Sequence, residues 1–459
     1  MVRGRPGERP AGTAEAGKGA VVATDEQVVY DPQTYQTGMP YEQLTRLREA
    51  APVSWVPERS VDGAEHGPGY WAVWRHAEVK QVLKRPQLFS SELGATQIRD
   101  PATPEDLAYV QKSMLNMDPP EHSRLRRIVN RSFTPRAVER LRERIVERAR
   151  LIVDEMIDGS TDHTADFAKV AADLPVWTLA DVLGVPQTDR YLMFDWASRV
   201  IGFQDPEYAA ISLTDATGTT PMAKAALAVR PSPGPDGTMP DPRTRGGIPD
   251  LYAYAHELAA EKRRAPGEDI MSLMLSQVDG DGLSTDEFEN MFWLFAVAGN
   301  ETLRNGIPGG MYALLHHPEQ WRRLAADRSL LPGAADEMLR WWTPVIHFRR
   351  TATEDTELAG QRIAAGDKVV VYFASANRDP RAFDDPDTFD VTRSAADHLS
   401  FGHGPHYCLG SMLGKAQLVA MFDALLDRLA EVRAAGEPQR LRSNFQHGIK
   451  HLPIGWTLR

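Results

Sequence analysis

Cys408 is the only thiol in this 459-residue chain, which excludes an internal disulfide and any zinc or iron–sulfur centre built from several thiolates. Long apolar runs are missing too, since no stretch approaches the ~20 residues that span a bilayer. The first two dozen residues hold Gly, Ala, Pro and charge without an apolar core, so they read as neither a signal peptide nor a membrane anchor. Residues 1–25 are expected to form a disordered tail and 26–459 a single domain. Positive charge is the minority sign: a net charge of −11 argues against a general nucleic-acid binder. Cysteine poverty fits a reducing, cytoplasmic location.

What is present is helical periodicity. Apolar spacing predicts helices over roughly 135–157, 166–184, 188–203, 249–263, 285–316, 333–342 and 409–431. Strand character is confined to short runs such as Gly69–Trp74 and Lys368–Phe373. Helices in this excess, without βαβ alternation, predict a mainly α fold with small β-sheets. Ser284-Thr-Asp-Glu287 has the pattern of a capping box at the head of the longest helix. Pro308 is expected to kink that helix. Segment 203–249 centres on a Pro/Gly-rich stretch far longer than the usual connection of ~4–6 residues. It is expected to be a long lid-type loop, with a solvated insertion as the alternative.

The lone cysteine sits in Phe401-Gly-His-Gly-Pro-His-Tyr-Cys-Leu-Gly410. Such a thiol can be inert, a nucleophile or one axial ligand to a metal. The setting favours the ligand. Gly402 and Gly404 let the backbone fold tightly under a flat group, and Gly410 removes bulk just past the sulfur. A helix starting there would aim its free N–H groups at a thiolate. Other metal and catalytic patterns fail on inspection. Asp279-Gly-Asp281-Gly282 has Leu283 where a calcium loop needs an oxygen ligand. His256-Glu257 lacks a second zinc-binding histidine, no G-x-S-x-G elbow occurs, and Tyr407 replaces the third glycine of a dinucleotide loop.

The ten-residue stretch resembles the haem-binding signature of the cytochrome P-450 superfamily, Phe-Gly-x-Gly-x-His-x-Cys-x-Gly, at every defined position. The resemblance implies haem b as cofactor, with Cys408 as proximal thiolate to the iron, and Phe401, Gly402, His406 and Gly410 shaping its bed. Ala298-Gly-Asn-Glu-Thr302 resembles the family's oxygen-activation segment. Ala298 would then lie over the haem, Thr302 would hydrogen-bond the oxygen under activation, and Glu301 would help deliver protons through water. His122-Ser-Arg-Leu-Arg126 resembles the helix that crosses the haem. With His406 and Arg350, preferred over Arg349 by its Arg-Thr-Ala context, it would hold the two propionates. Glu337-Met-Leu-Arg340 and Arg393 match the family's buried ion triad. The basic run Arg124, Arg127, Arg131, Arg136 and Arg140 would be a docking patch for an acidic electron donor.

Taken together, the resemblance implies a soluble bacterial type of monooxygenase built as one large domain around a buried haem. It would insert one atom of O2 into a C–H bond of a hydrophobic small molecule. Expected wall residues of the substrate chamber are Phe295, Val345, Ile346 and Phe445, together with Ala298 and the stretch from Leu88 to Met114. With twenty-eight residues after Glu431, electrons are expected from a ferredoxin and ferredoxin reductase in trans. A monomer is expected. Met114-Leu-Asn-Met-Asp-Pro-Pro-Glu-His122 and Gly448-Ile-Lys-His451 look like the steroid side-chain and branched-lipid hydroxylase group. The alternatives are a natural-product tailoring enzyme of the same superfamily and a haem protein that binds without turnover.

Overall fold

The computed structural model describes residues 23–61, 67–101, 103–209, 220–235, 239–278 and 282–459. Residues 1–22 of the expected tail and the rejected calcium-loop positions 279–281 lie outside them.

Helices dominate, and the longest organises the rest. Thr285–His316 begins at a complete capping box: Ser284 Oγ accepts from Glu287 N at 3.2 Å, and Ser284 N donates to Glu287 Oε2 at 2.7 Å. Asp286 and Glu287 in its first turn complement the helix dipole. Around it pack Phe167–Leu183, Arg190–Ile201, Leu331–Trp342 and Ser411–Arg428, and Pro135–Asp158 lies against the last of these. The helix runs on through Pro308, where a kink was expected. At the next position the backbone presses on the Trp342 indole: a Cβ on Gly309 would stand 2.1 Å from the ring, so glycine is what lets the two helices meet.

The β-structure is small and peripheral. Val53–Val56, Tyr70–Val73, Lys368–Tyr372, His347–Ala352 and Phe89–Ser90 form a sheet in that spatial order, whose second and third strands are parallel while the other pairs are antiparallel. A second sheet places Pro453–Leu458 between Thr164–Asp166 and Leu429–Ala434. Here the sequence expectation is corrected. The helix expected over 409–431 is Ser411–Arg428, and Leu429 starts a strand that pairs with the chain's last segment.

The described residues of segment 203–249, expected to be a long lid-type loop, are not all loop. Within its described residues Pro221–Ala228 is a helix, capped by Thr220 Oγ1 accepting from Ala223 N at 3.0 Å and buried through Met222, Ala223 and Ala226. Arg230 binds Asp195 through both terminal nitrogens, at 2.7 and 2.8 Å, and so ties this segment to the helix Arg190–Ile201. Arg243 covers the ring of Phe203 at 4.3 Å. Among the described residues no helix is long and apolar enough to cross a membrane.

Candidate active site

The cysteine loop is closed by its own backbone. Cys408 N donates to Phe401 O at 2.8 Å, and Tyr407 N to Gly404 O at 3.0 Å. Gly402 and Gly404 take φ of +68° and +71°, and a Cβ on Gly404 would also meet Leu83 O at 2.3 Å. Only glycine satisfies both demands at 404. Cys408 is surrounded by protein, yet its surface remains open. It therefore faces an internal gap. Burial pushes the thiol's pKa up, while the Gly410 N–H and the Arg126 guanidinium pull the other way by stabilising the thiolate.

The long helix shows the same anomaly. Ala298 and Gly299 are exposed in mid-helix, although Ala296, Val297, Asn300 and Glu301 around them are buried. Two residues after Glu301, Leu303 lies 3.6 Å from where a Cβ on Gly414 would stand, so this turn adjoins the helix that follows Cys408. Thr302 Oγ1 donates to Ala298 O at 3.1 Å. Glu301 is fully buried, paired with Arg304 at 2.8 Å and accepting from Asn305 Nδ2 at 3.1 Å. Burial raises its carboxyl pKa despite both partners.

Donors for an anionic group gather near the cysteine. His122 is 2% exposed with Nδ1 lacking any partner, and burial, then Arg126 and Arg350, lower its pKa to about 4. Its ring lies 4.1 Å, centroid to centroid, from that of His406. His406 Nε2 donates to Met117 O at 3.1 Å and lies 3.2 Å from Ser91 Oγ, and burial lowers its pKa well below the usual value. Arg126 donates to Pro405 O and Tyr407 O at 3.1 and 2.5 Å. The two competing arginines separate clearly. Arg349 binds Asp100 at 2.7 Å, whereas Arg350 has no carboxylate partner among the described residues and burial lowers its pKa to about 10. Above Gly410 a Cβ would meet nothing within 4 Å. A lone soft thiol, an orphaned imidazole nitrogen, an uncompensated buried guanidinium and this open space suit a flat macrocycle carrying two carboxylates. Haem fits these residues.

Glu337 and Arg340 are wholly buried and joined by bonds of 2.6 and 2.8 Å. Arg393 Nε reaches Glu337 Oε1 at 3.3 Å, and Arg340 also donates to Asn377 O and Pro386 O, both at 2.9 Å. Asn377 Oδ1 in turn accepts from Leu399 N at 2.7 Å, two residues before Phe401. The three charges thus brace the approach to the cysteine loop. Of the basic run, Arg124 is committed to Glu121, Glu287 and Gly282 O, while Arg127, Arg131, Arg136 and Arg140 are exposed.

Beside Ala298 and Thr302 opens an apolar chamber of about 850 Å³ of empty space, its solvent-open mouth included. Val345 and Phe445 line it, and so do Ala95, Thr96, Gln97, Arg99, Pro101 and Val110 from the stretch between Leu88 and Met114. Phe295 and Ile346 do not. Leu294, Val297, Ala298 and Glu301 share the helix face toward the chamber, which turns Phe295 away to stack on Phe133 at 5.9 Å. Ile346, 0% exposed, points into a separate core with Tyr70, Trp74 and Tyr372. Sequence reasoning missed Trp293, Phe348, Arg243 and Gln446 on the wall. Phe348 could have been found from Val345, since both precede the Arg-Thr-Ala run on one extended segment. The others carried no periodic signal.

A lone thiol in a glycine-folded loop, with cationic donors beside it and an apolar chamber near a buried acid and a hydroxyl, suits a haem-dependent oxygenase. A family description, Cytochrome P-450, matches residues 253–445. Steroid C26-monooxygenase of Rhodococcus jostii is 37% identical over 431 residues, 93% of this chain and 84% of that protein. Methyl-branched lipid omega-hydroxylase of Mycobacterium tuberculosis is 39% identical over 415 residues, 90% of each chain. A Mycobacterium marinum cytochrome P-450 in complex with pseudoionone superimposes with a TM-score of 0.78 at 34% identity, covering 96% of this chain and 100% of the other. The chain belongs to the cytochrome P-450 family, with the single-domain, mainly helical fold of that family, and is a haem-dependent monooxygenase.

Proposed function

We propose that this enzyme hydroxylates a C–H bond of a steroid or methyl-branched lipid. The observation that carries the reading is the chamber itself, apolar on most of its wall and ending at Ala298, Glu301 and Thr302. Relatives named for a steroid and for a methyl-branched lipid cover at least nine-tenths of the chain. Cys408 would ligate haem b, and His122, Arg126, Arg350 and His406 would hold its propionates. Haem, when bound, supplies the reduction of O2 and the transfer of one oxygen atom to carbon.

The chain's own part is binding and proton control. The apolar wall excludes water and holds the reacting carbon close. The Thr302 hydroxyl would give up its bond to Ala298 O and donate into the chamber instead. Glu301, held by Arg304 and Asn305, passes protons inward through water. Glu337, Arg340 and Arg393 keep the loop that carries Cys408 in place. Electrons come from a ferredoxin and its reductase in trans, docking on the exposed face of Arg127, Arg131, Arg136 and Arg140. Of segment 203–249, Arg243 stands on the chamber wall and Tyr208 lies beneath Arg304.

The test is a binding titration of the holoenzyme with steroids, methyl-branched lipids, linear fatty acids and polar natural products, followed by product analysis with donor electrons. Micromolar binding and a single hydroxylated product in the first two groups support the reading. Turnover confined to the last group would assign the enzyme to natural-product tailoring instead.

A further inference from the structure

Few polar groups reach the chamber wall, and most are already occupied. Thr96 Oγ1 donates to Asn116 Oδ1 at 2.5 Å, and Asn116 Nδ2 to Val110 O at 2.9 Å. Arg243 is bound to Asp241 at 2.7 Å, and Arg99 donates to Tyr30 Oη, Val61 O and Arg59 O at 3.1, 3.3 and 2.6 Å. Gln97 is half-exposed and reaches water.

Gln446 is different. It lines the chamber and is 2% exposed, yet its Oε1 is buried without a partner, and its Nε2 has no hydrogen bond among the described residues. The backbone beneath it is fixed. Gln446 N donates to Ser443 Oγ at 3.1 Å, Val345 bridges to Gln446, and the flanking bonds Ile346 N to Phe445 O and His447 N to Pro344 O are 2.9 and 2.8 Å. An amide held rigidly in an apolar wall with nothing to bind is a destabilising choice that leucine or methionine would avoid. A ligand that supplies the missing partner removes that penalty.

We infer that Gln446 recognises a neutral oxygen function, a ketone or a hydroxyl, on the substrate's hydrocarbon skeleton. The inference rests on the substrate reading above and adds a requirement to it. A ketone accepts from the Nε2 amide, and a hydroxyl can in addition donate to Oε1. A hydrocarbon of the same shape leaves the amide unpaired, so the site rejects it. Gln446 is then a positioning residue: anchoring the oxygen fixes which carbon lies beside Thr302.

The experiment uses the holoenzyme and three ligands of one steroid skeleton: the ketone, the alcohol and the hydrocarbon. Calorimetric affinities are compared between the natural protein and Gln446→Met, which keeps the length and removes the amide. The ratio of oxygenated to hydrocarbon affinity should fall at least about tenfold in the variant, ~1.4 kcal/mol. Its products should also spread over more than one carbon. A preference for ketone in the natural protein identifies the Nε2 donor as dominant, and a preference for alcohol adds the Oε1 acceptor. Should Gln446→Met fail to load haem, Gln446→Asn, which withdraws the amide by one carbon, carries the same expectation. A ratio unchanged within twofold, with one product throughout, overturns the inference while leaving the chamber assignment standing. If none of the three ligands binds a correctly loaded protein, the chamber assignment fails and this inference with it.

Discussion

Glu301 and Arg304, one helical turn apart, form an ion pair of 2.8 Å whose side chains are 1% and 4% exposed. Thr302, between them in sequence, lines the chamber beside Glu301 with its hydroxyl tied to Ala298 O. Adjacent positions on one helix thus carry a held acid and a movable hydroxyl. Thr302→Ala should leave NAD(P)H consumption through the redox partners largely intact while product falls and peroxide rises; Thr302→Ser should restore most of the coupling. Glu301→Gln should slow product formation by ~100-fold or more, the scale of a general acid. Product-to-NAD(P)H ratios measured for the three variants check this, and unchanged ratios would contradict it.

The buried pair Glu337–Arg340 makes a prediction about stability. Arg340→Ala leaves Glu337 in the core with Arg393 at 3.3 Å and the Asp390 N–H at 3.1 Å as its remaining partners. Stranding a buried charge costs about 3–5 kcal/mol. Urea unfolding should show that loss, and the purified variant should carry less haem per chain because Asn377 and the cysteine loop lose their brace. Full haem content with reduced stability would confine the pair to packing.

Acid should destabilise the protein early, and the histidines set the window. Burial alone lowers the His347 pKa to about 3, and both of its ring nitrogens are unpartnered. Burial, and less so Arg440, lowers that of His447 to about 3. A histidine with a depressed folded pKa binds its proton more readily when unfolded. The stability it allows is therefore complete above the ordinary value near ~6.5 and drains away as pH falls toward ~3. His347→Phe should flatten the fall in Tm between pH 6.5 and 4, and an equally steep fall would count against this account.

Much of the site was legible because it is local in sequence. The Phe401–Gly410 signature, the 298–302 segment and the capping box at Ser284 each declare themselves within ten residues, and the helix Thr285–His316 has its expected bounds. What escaped was set by distant partners. Leu429–Ala434 continues the preceding helix in composition and becomes a strand because Pro453–Leu458 lies beside it. The helix Glu121–Asn130 buries only His122, Leu125 and Val129, too thin a stripe among its charges to read by period. Pro221–Ala228 did carry its signal, a threonine cap followed by proline at the first helical position, masked by the Pro/Gly-rich stretch after it. Phe295 and Ile346 were misplaced by one residue of rotation each, which apolar character does not specify. Gln446 shows its meaning only through the absence of a partner.

The central claim is that Cys408 ligates the haem through sulfur. The reduced carbon-monoxide complex of the purified protein measures this most directly. The account predicts the red-shifted Soret band of a haem-thiolate, lost in Cys408→Ala, whereas a histidine-type band in the natural protein would contradict it.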